Sequence, residues 1–519
     1  MSDASSRPPA SLPPPLHRPV LLSLVVAKLA IHLPLLGRYG YFRDELYFLD
    51  CGRHLDWGYV DHAPLVGLVA KGSLLLGGSL PALRIFPALA GAGLVALAVL
   101  LARRLGGGPF AQLLAGLTVL LSPVQLLMSS VMTMNAFEPL FWSGAALALV
   151  RLVESGDGRW WLAFGALGGA GLLNKHSTIF FLVAVAAGVA LTGTRRWLAT
   201  RWPWLGAGLA LLVFLPNLVW QWQRDFPTLE DLRNVARTGK NVVLGPGDFV
   251  LQQVQLQHPA FVPFWLGGLL WLLLARRGRH RFLGIAFLVF FGLHFALHAK
   301  NYYLAPFYPI LFAAGGVAWE EGLARWRATR GRAAPRAVVV AAVAVAGLVV
   351  APTVLPLLPP GTLLAYGRAI GVVPPRTEVA HEGPLPQVWG DQFGWPELVA
   401  DVARVWNGLS PEERARAGIF ANNYGEAGAI NLFGPRSGLP PALSAHQTHF
   451  FWGPRGFTGD VLVVLQSSRE DLERRCASVE EAGRHFHPWG MAEENGAIWV
   501  CRGLKTPLPE LWPELKHWN

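Results

Sequence analysis

Charge is what this chain has least of. Only 15% of its 519 residues are Asp, Glu, Lys or Arg, while 52% are hydrophobic and the mean hydropathy is positive. Soluble chains carry roughly a quarter charged residues, so an ordinary soluble protein is excluded. Cysteine is also scarce, at three residues: Cys51, Cys476 and Cys501. Near the C-terminus, Cys476 and Cys501 are either a disulfide, if that end is extracytoplasmic, or two separate buried thiols. No internal repeat, zinc-type motif or catalytic Ser/His/Asp signature is present. The net charge of +11 raises nucleic acid as a partner, but the arginines sit in short clusters between apolar runs. That is the loop bias of membrane proteins, and no nucleic-acid partner is expected.

Long apolar runs are abundant. Each of about 18 residues suffices to cross a bilayer as a helix. Roughly eleven begin near Val20, Leu83, Phe110, Asn135, Trp160, Ser177, Pro203, Phe261, Phe282, Tyr302 and Ala337. The Pro- and Ser-rich residues 1–19 read as a disordered segment. No small-x-small cleavage site precedes Tyr41, so the first run is read as a retained span rather than a signal peptide. Basic clusters at Arg103-Arg104, Arg195-Arg196-Arg201, 276–281 and 324–336 alternate with acidic or aromatic connections. The positive-inside rule then places the N-terminus in the cytoplasm and everything beyond residue 357 outside the plasma (inner) membrane.

Residues 20–356 therefore form the membrane domain and 357–519 an extracytoplasmic α/β domain. In the latter, "AGIFANN", "DVLVVLQSS" and "AIWVCRG" read as strands, while "WPELVADVARVWNGL" and "SREDLERRCASVEEAG" have helical periodicity. "ANNYGEAGAINLFG" at 421–434 follows a strand, where α/β ligand sites gather; a turn and helix start is its plainer reading. The "GALGGAG" run at 165–171 allows close helix packing within a span.

Ionisable groups are costly inside a bilayer, so their places carry information. Span centres are nearly free of them, Lys28 excepted, which disfavours a transporter with a mid-membrane site. The polar groups collect at the outer ends instead: Arg43, Asp44 and Glu45; Asp61 and His62; Asn135 and Glu138; Lys175 and His176; Lys300, Tyr302 and Tyr303. Singly, each has a plain reading as a helix cap, interface anchor or aromatic-belt residue. Jointly they describe one interfacial pocket. His62, His294 and His298 lack a carboxylate at ligand spacing, so no metal site is assigned, although a divalent cation stays open as a cofactor. Such a pocket suits a lipid-linked phosphosugar. A carboxylate takes the proton of an attacking hydroxyl, while lysines and tyrosines hold the phosphate as negative charge grows on it. That chemistry needs no nucleotide, which accords with the missing Gly-rich phosphate loop.

The order "YFRDELYFLDCGRHLDWGYVDHAPL", "MTMNAFEPLFW", "LLNKHSTIFF" and "HAKNYYLAPFYPILFAAG" resembles the bacterial family-39 glycosyltransferases. These are relatives of the dolichyl-phosphate-mannose protein mannosyltransferases and of the aminoarabinose transferases that modify lipid A. The resemblance implies a GT-C fold and inverting transfer from a polyprenyl-phosphate monosaccharide to a protein or glycolipid acceptor at the outer face. It also implies catalytic roles for Asp44, Glu45 and Glu138, with Asp44 the base and Asn135 the competing match for Glu138. Donor binding would fall to Arg43, Asp61, His62, Lys175, His176, Lys300, Tyr302 and Tyr303. Ala63 departs from the family's "HPPL"-like element, which has a proline there. The remaining alternatives are a transporter or flippase of a lipid-linked saccharide, and a non-catalytic scaffold.

Overall fold

The computed structural model describes residues 13–240, 242–275, 278–330, 335–372 and 382–518. Residues 1–12 of the segment expected to be disordered, and parts of the basic clusters at 276–281 and 324–336, lie outside the described residues. Residues 13–17 are packed rather than loose: Arg103 Nε donates to Pro14 O at 2.8 Å, and His17 N donates to Gln112 Oε1 at 2.9 Å.

The membrane part is built from α1 (Arg18–His32), α2 (Arg43–Arg53), α3 (Leu65–Leu75), α4 (Leu80–Arg104), α5 (Pro109–Leu121), α6 (Pro123–Met128), α7 (Met134–Ser155), α8 (Trp160–Asn174), α9 (Thr178–Ala190), α10 (Arg201–Gln223), α11 (Pro227–Thr238), α12 (Pro246–Gln257), α13 (Val262–Leu274), α14 (Arg281–Ala296), α15 (Tyr308–Arg330) and α16 (Arg336–Val354). A helix stands at each of the eleven expected positions, except that a 3-10 turn, Asn301–Phe307, precedes α15. Among the described residues, five helices are by themselves long and apolar enough to cross a membrane, or seven if two bent pairs each count as one span. Leu65–Leu75, Pro109–Leu121 and Arg281–Ala296 are apolar but shorter than that. The chain is a multi-pass membrane protein.

Local chemistry sets the boundaries. Ser79 caps α4, accepting from Ala82 N, and Arg103 and Arg104 in its last turn complement the helix dipole. Gly156, at φ +69°, ends α7 in the left-handed conformation that glycine tolerates. The centre is formed by α4 and α7, with α5, α9 and α13–α15 packed round them. In contrast α10 and α16 leave Leu211, Leu212, Val345 and Leu348 exposed, as lipid-facing helices do. The glycines at 165–171 act as expected. A Cβ on Gly165 would lie 2.0 Å from Gly206 O, and one on Gly169 would lie 2.8 Å from Ala210 O. Their absence brings α8 against α10.

The C-terminal part adds α17 (Pro360–Ala369), α18 (Gln387–Gly390), α19 (Trp395–Gly408), α20 (Pro411–Arg414), α21 (Tyr424–Phe433) and α22 (Arg469–Arg475) round a four-stranded sheet. Its strands are β1 (Ala417–Phe420), β2 (Val461–Leu465), β3 (Cys476–His485) and β4 (Gly496–Leu504), in the order β1-β2-β4-β3. β1 and β2 are parallel; the other pairs are antiparallel. The three expected strands are present. The expected helix over "SREDLERRCASVEEAG" is corrected: it stops at Arg475 and the chain turns into edge strand β3. Ser478, Glu480 and Glu481 face water while the strand backbone pairs with β4, so tertiary pairing overrides a helical charge pattern.

Cys476 and Cys501 are joined, with Cα atoms 5.8 Å apart. The bond closes 25 residues, and removing it with Cys476→Ala is expected to cost about 3 kcal/mol, read as a lower Tm of the purified protein.

Candidate active site

Helices α2, α8, α9 and α10 shape the site, with the short connection between α8 and α9. α8 and α9 are joined by only Lys175-His176-Ser177, and Lys175, His176 and Ser177 line the cavity between them. Opposite them lies α2, an amphipathic helix buried along most of its length. Phe42 N donates to Glu45 Oε2 at 2.9 Å, closing its first turn. Between these elements and α10 opens a cavity of about 1080 Å³. At one end it is lined by Asp44, Asp61, His62, Asn135, Lys175, His176, Tyr302 and Tyr303. From there it continues between α8, α9 and α10 over apolar side chains such as Phe180, Val185, Val189 and Leu198. The run from Lys175 to Val189 spans about 20 Å at the helical rise.

Lys175 is the ammonium group among the residues lining the cavity. Its Nζ donates to Asn135 Oδ1 at 2.8 Å and to Glu138 Oε2 at 3.3 Å, and lies 4.3 Å from the Tyr303 ring centre. Ser177 Oγ donates to the other oxygen of Glu138 at 2.5 Å. Glu138 is thus a buried counter-ion behind Lys175, and the cavity wall is Asn135. One oxygen of Glu138 is held by Lys175 and the other by Ser177, and Glu138 does not line the cavity.

Asp44 is half-buried on the cavity wall and accepts at Oδ1 from the Tyr424 hydroxyl, 2.8 Å away. Glu45, its neighbour, turns the other way. Fully buried, it accepts from Arg84 Nη2 at 2.8 Å, Arg84 Nε at 2.9 Å and Met132 N at 2.8 Å. It does not line the cavity, and its pair with Arg84 ties α2 to α4.

Asp61 accepts from the Tyr47 hydroxyl at 2.9 Å, and burial pushes its carboxyl up to about 7. His62 lines the cavity, with Nδ1 3.0 Å from Ala63 O, and burial lowers it to about 4, leaving it neutral. His176 Nε2 pairs with Asn217 Oδ1 at 3.0 Å and is also lowered by burial. Lys300 does not line the cavity. Neither does Arg43, which reaches into the C-terminal domain to pair with Glu493 at 2.7 Å and lies 4.0 Å from Asp391. Both depart from the expected donor contacts. Among the described residues no three His, Cys, Asp or Glu side chains are grouped to hold a metal ion.

Arg43 stands among several acids. Burial pushes Asp391 up to about 8 against the pull of Arg43, and burial likewise raises Glu426 and Glu494. A carboxyl raised in the folded state holds its proton where the unfolded chain has lost it. The stability it lends is present below about pH 4 and is lost as pH rises through the folded value. Tm is expected to fall between about pH 4 and 8, and Asp391→Asn to flatten that slope.

Sequence reasoning points to Tyr424 only as a residue of a ligand site in the C-terminal part, and to Tyr47, Thr448 and Arg84 not at all. Tyr424 stood within the "ANNYGEAG" stretch but its partner lies 380 residues away, and nothing local signals that contact. In the same stretch Asn423 caps α21 and Glu426 completes the capping box, which is the plainer of the two readings.

Residues 61–220, which include Asp61 and the α8–α10 walls of the cavity, match the family model for dolichyl-phosphate-mannose-protein mannosyltransferase. The whole fold superposes on the crystal structure of ArnT from Cupriavidus metallidurans bound to undecaprenyl phosphate. The TM-score is 0.58 at 16% identity, covering 93% of this chain and 97% of that one. The chain shares the GT-C fold of ArnT. Against the apo state of the same ArnT the TM-score is 0.57 at 17% identity, covering 93% and 96%. No curated protein matches in sequence. At such identities the likeness to ArnT is one of GT-C fold.

Proposed function

We propose that this GT-C protein transfers a monosaccharide from a polyprenyl-phosphate donor to an acceptor hydroxyl, with inversion, at the outer face of the plasma membrane. The observation that carries the reading is the two-ended cavity. Its polar end is lined by Asp44, Lys175 and the tyrosines, and its apolar end runs between α8, α9 and α10. A polyprenyl tail fits the second and a phosphosugar the first. The match to the mannosyltransferase model and the undecaprenyl phosphate bound by ArnT support that donor class.

In this mechanism Asp44 takes the proton of the acceptor hydroxyl as its oxygen bonds to the anomeric carbon. The bond from that carbon to phosphate breaks, and the electron pair leaves on the polyprenyl phosphate. Lys175, paired with Glu138, and the hydroxyls of Tyr302 and Tyr303 stabilise that growing negative charge. The C-terminal domain stands on the acceptor side.

The test uses purified protein and a panel of undecaprenyl-phosphate monosaccharides, each labelled in the sugar. Label moving covalently to protein or glycolipid from envelope extract supports the transferase. Label crossing the bilayer without transfer supports a flippase, and loss of activity with EDTA would establish the divalent cation. Lys175→Gln is expected to weaken undecaprenyl phosphate binding by roughly ten- to a hundredfold, since a hydrogen bond to a charged group is worth about 1.5–3 kcal/mol. Calorimetry of the detergent-solubilised protein reads it directly.

A further inference from the structure

The hydroxyl that reaches Asp44 comes from the C-terminal domain. Tyr424 is the first residue of α21, and Asn423 fixes its backbone by accepting from Gly425 N at 2.8 Å and Glu426 N at 3.0 Å. Its buried ring is stacked between Tyr47 and His446, at centroid distances of 4.8 Å and 4.9 Å, with the Arg43 guanidinium 5.6 Å from its centre. Gly428 allows the approach: a Cβ there would lie 2.8 Å from the Leu46 backbone, so α21 lies directly on α2. The constraint ends in one hydrogen bond, Tyr424 Oη to Asp44 Oδ1 at 2.8 Å.

Asp61, the other acid in the cavity, is held in a parallel way. It accepts from Tyr47, whose hydroxyl shares a 2.6 Å hydrogen bond with Thr448 of the C-terminal domain. Thr448 Oγ1 also accepts from Val60 N at 3.0 Å. Both cavity acids are thus set by a stacked tyrosine pair that the C-terminal domain supplies or anchors. Burial keeps the Tyr424 phenol protonated far above its ordinary range, so it is a constant donor.

We propose that Tyr424 is a positioning residue for Asp44, and that the C-terminal domain thereby takes part in the transfer step itself. The proposal rests on the reading of Asp44 as the base. With Oδ1 held by the phenol, the carboxylate cannot swing about its side-chain torsions, and Oδ2 is the oxygen that receives the acceptor's proton. Such orientation lowers the barrier without adding affinity for the donor.

Tyr424→Phe tests this in the full-length protein, because the phenyl ring keeps the stack and loses only the hydroxyl. The expected result is a roughly ten- to hundredfold fall in kcat, with donor KM, undecaprenyl phosphate affinity and Tm all unchanged. In the Asp44→Asn background the same substitution should change the residual rate no further. A Tyr424→Phe enzyme with wild-type kcat would overturn the proposal, as would a loss carried by KM or by a fallen Tm. Tyr424→Ala, which empties the stack, supplies the signature of a merely structural defect for comparison. An active Asp44→Asn enzyme sinks the base assignment itself, whatever Tyr424→Phe does, so the two failures are distinguishable.

Discussion

Asp44→Asn is expected to lower sugar transfer by roughly 10²–10⁴-fold, the usual contribution of a general base, while the protein still inserts and purifies as the wild type does. The amide keeps the size of the carboxylate and can still accept from Tyr424, so the packing of α2 against α21 is retained. What it loses is the capacity to take a proton. Undecaprenyl phosphate should bind the variant as well as or better than the wild type, since a negative charge near the phosphate end of the cavity has gone. The measurement is a transfer assay alongside a binding isotherm on the same preparation. Full activity with normal binding would remove Asp44 from the mechanism; lost binding together with lost activity would make it a donor-site residue instead.

Much of this was legible in one dimension. Apolar runs and the spacing of Asp44, Asp61, Asn135, Lys175 and Tyr303 were enough to gather these residues round one pocket, because bilayer energetics restrict where polar groups can stand. The same restriction explains why helix positions were readable to within a few residues. What could not be read was which way a side chain turns once it is inside the fold. Glu138 reads as an active-site acid and is a counter-ion for Lys175. Arg43 reads as a phosphate contact and reaches into the C-terminal domain instead. β3 reads as a helix because its charge spacing is helical, and only the presence of β4 makes it a strand. Tyr424 had no local signature, since its role depends on α21 docking against a helix 380 residues earlier.

Asp44 and Glu45 give the sharpest case, and the difference between them is measurable. Adjacent residues in a helix point about 100° apart, so both cannot face the cavity. Glu45 faces α4, where Arg84 lies 1% exposed and also donates to Arg38 O, Gly40 O and Gln392 Oε1. That ion pair ties α2, α4, the Met132 backbone and the C-terminal domain into one unit. Removing one partner of a buried pair costs about 3–5 kcal/mol, because the other charge is left without compensation. Glu45→Gln is therefore expected to lower Tm strongly in detergent, whereas Asp44→Asn should leave it unchanged. Any activity that Glu45→Gln loses should return when the folded fraction is restored at low temperature or with bound undecaprenyl phosphate. The paired replacement Glu45→Leu with Arg84→Met should recover much of the stability, since no uncompensated charge remains. A fully stable but inactive Glu45→Gln protein would instead make Glu45 a member of the catalytic set, acting through α2 on the acid beside it.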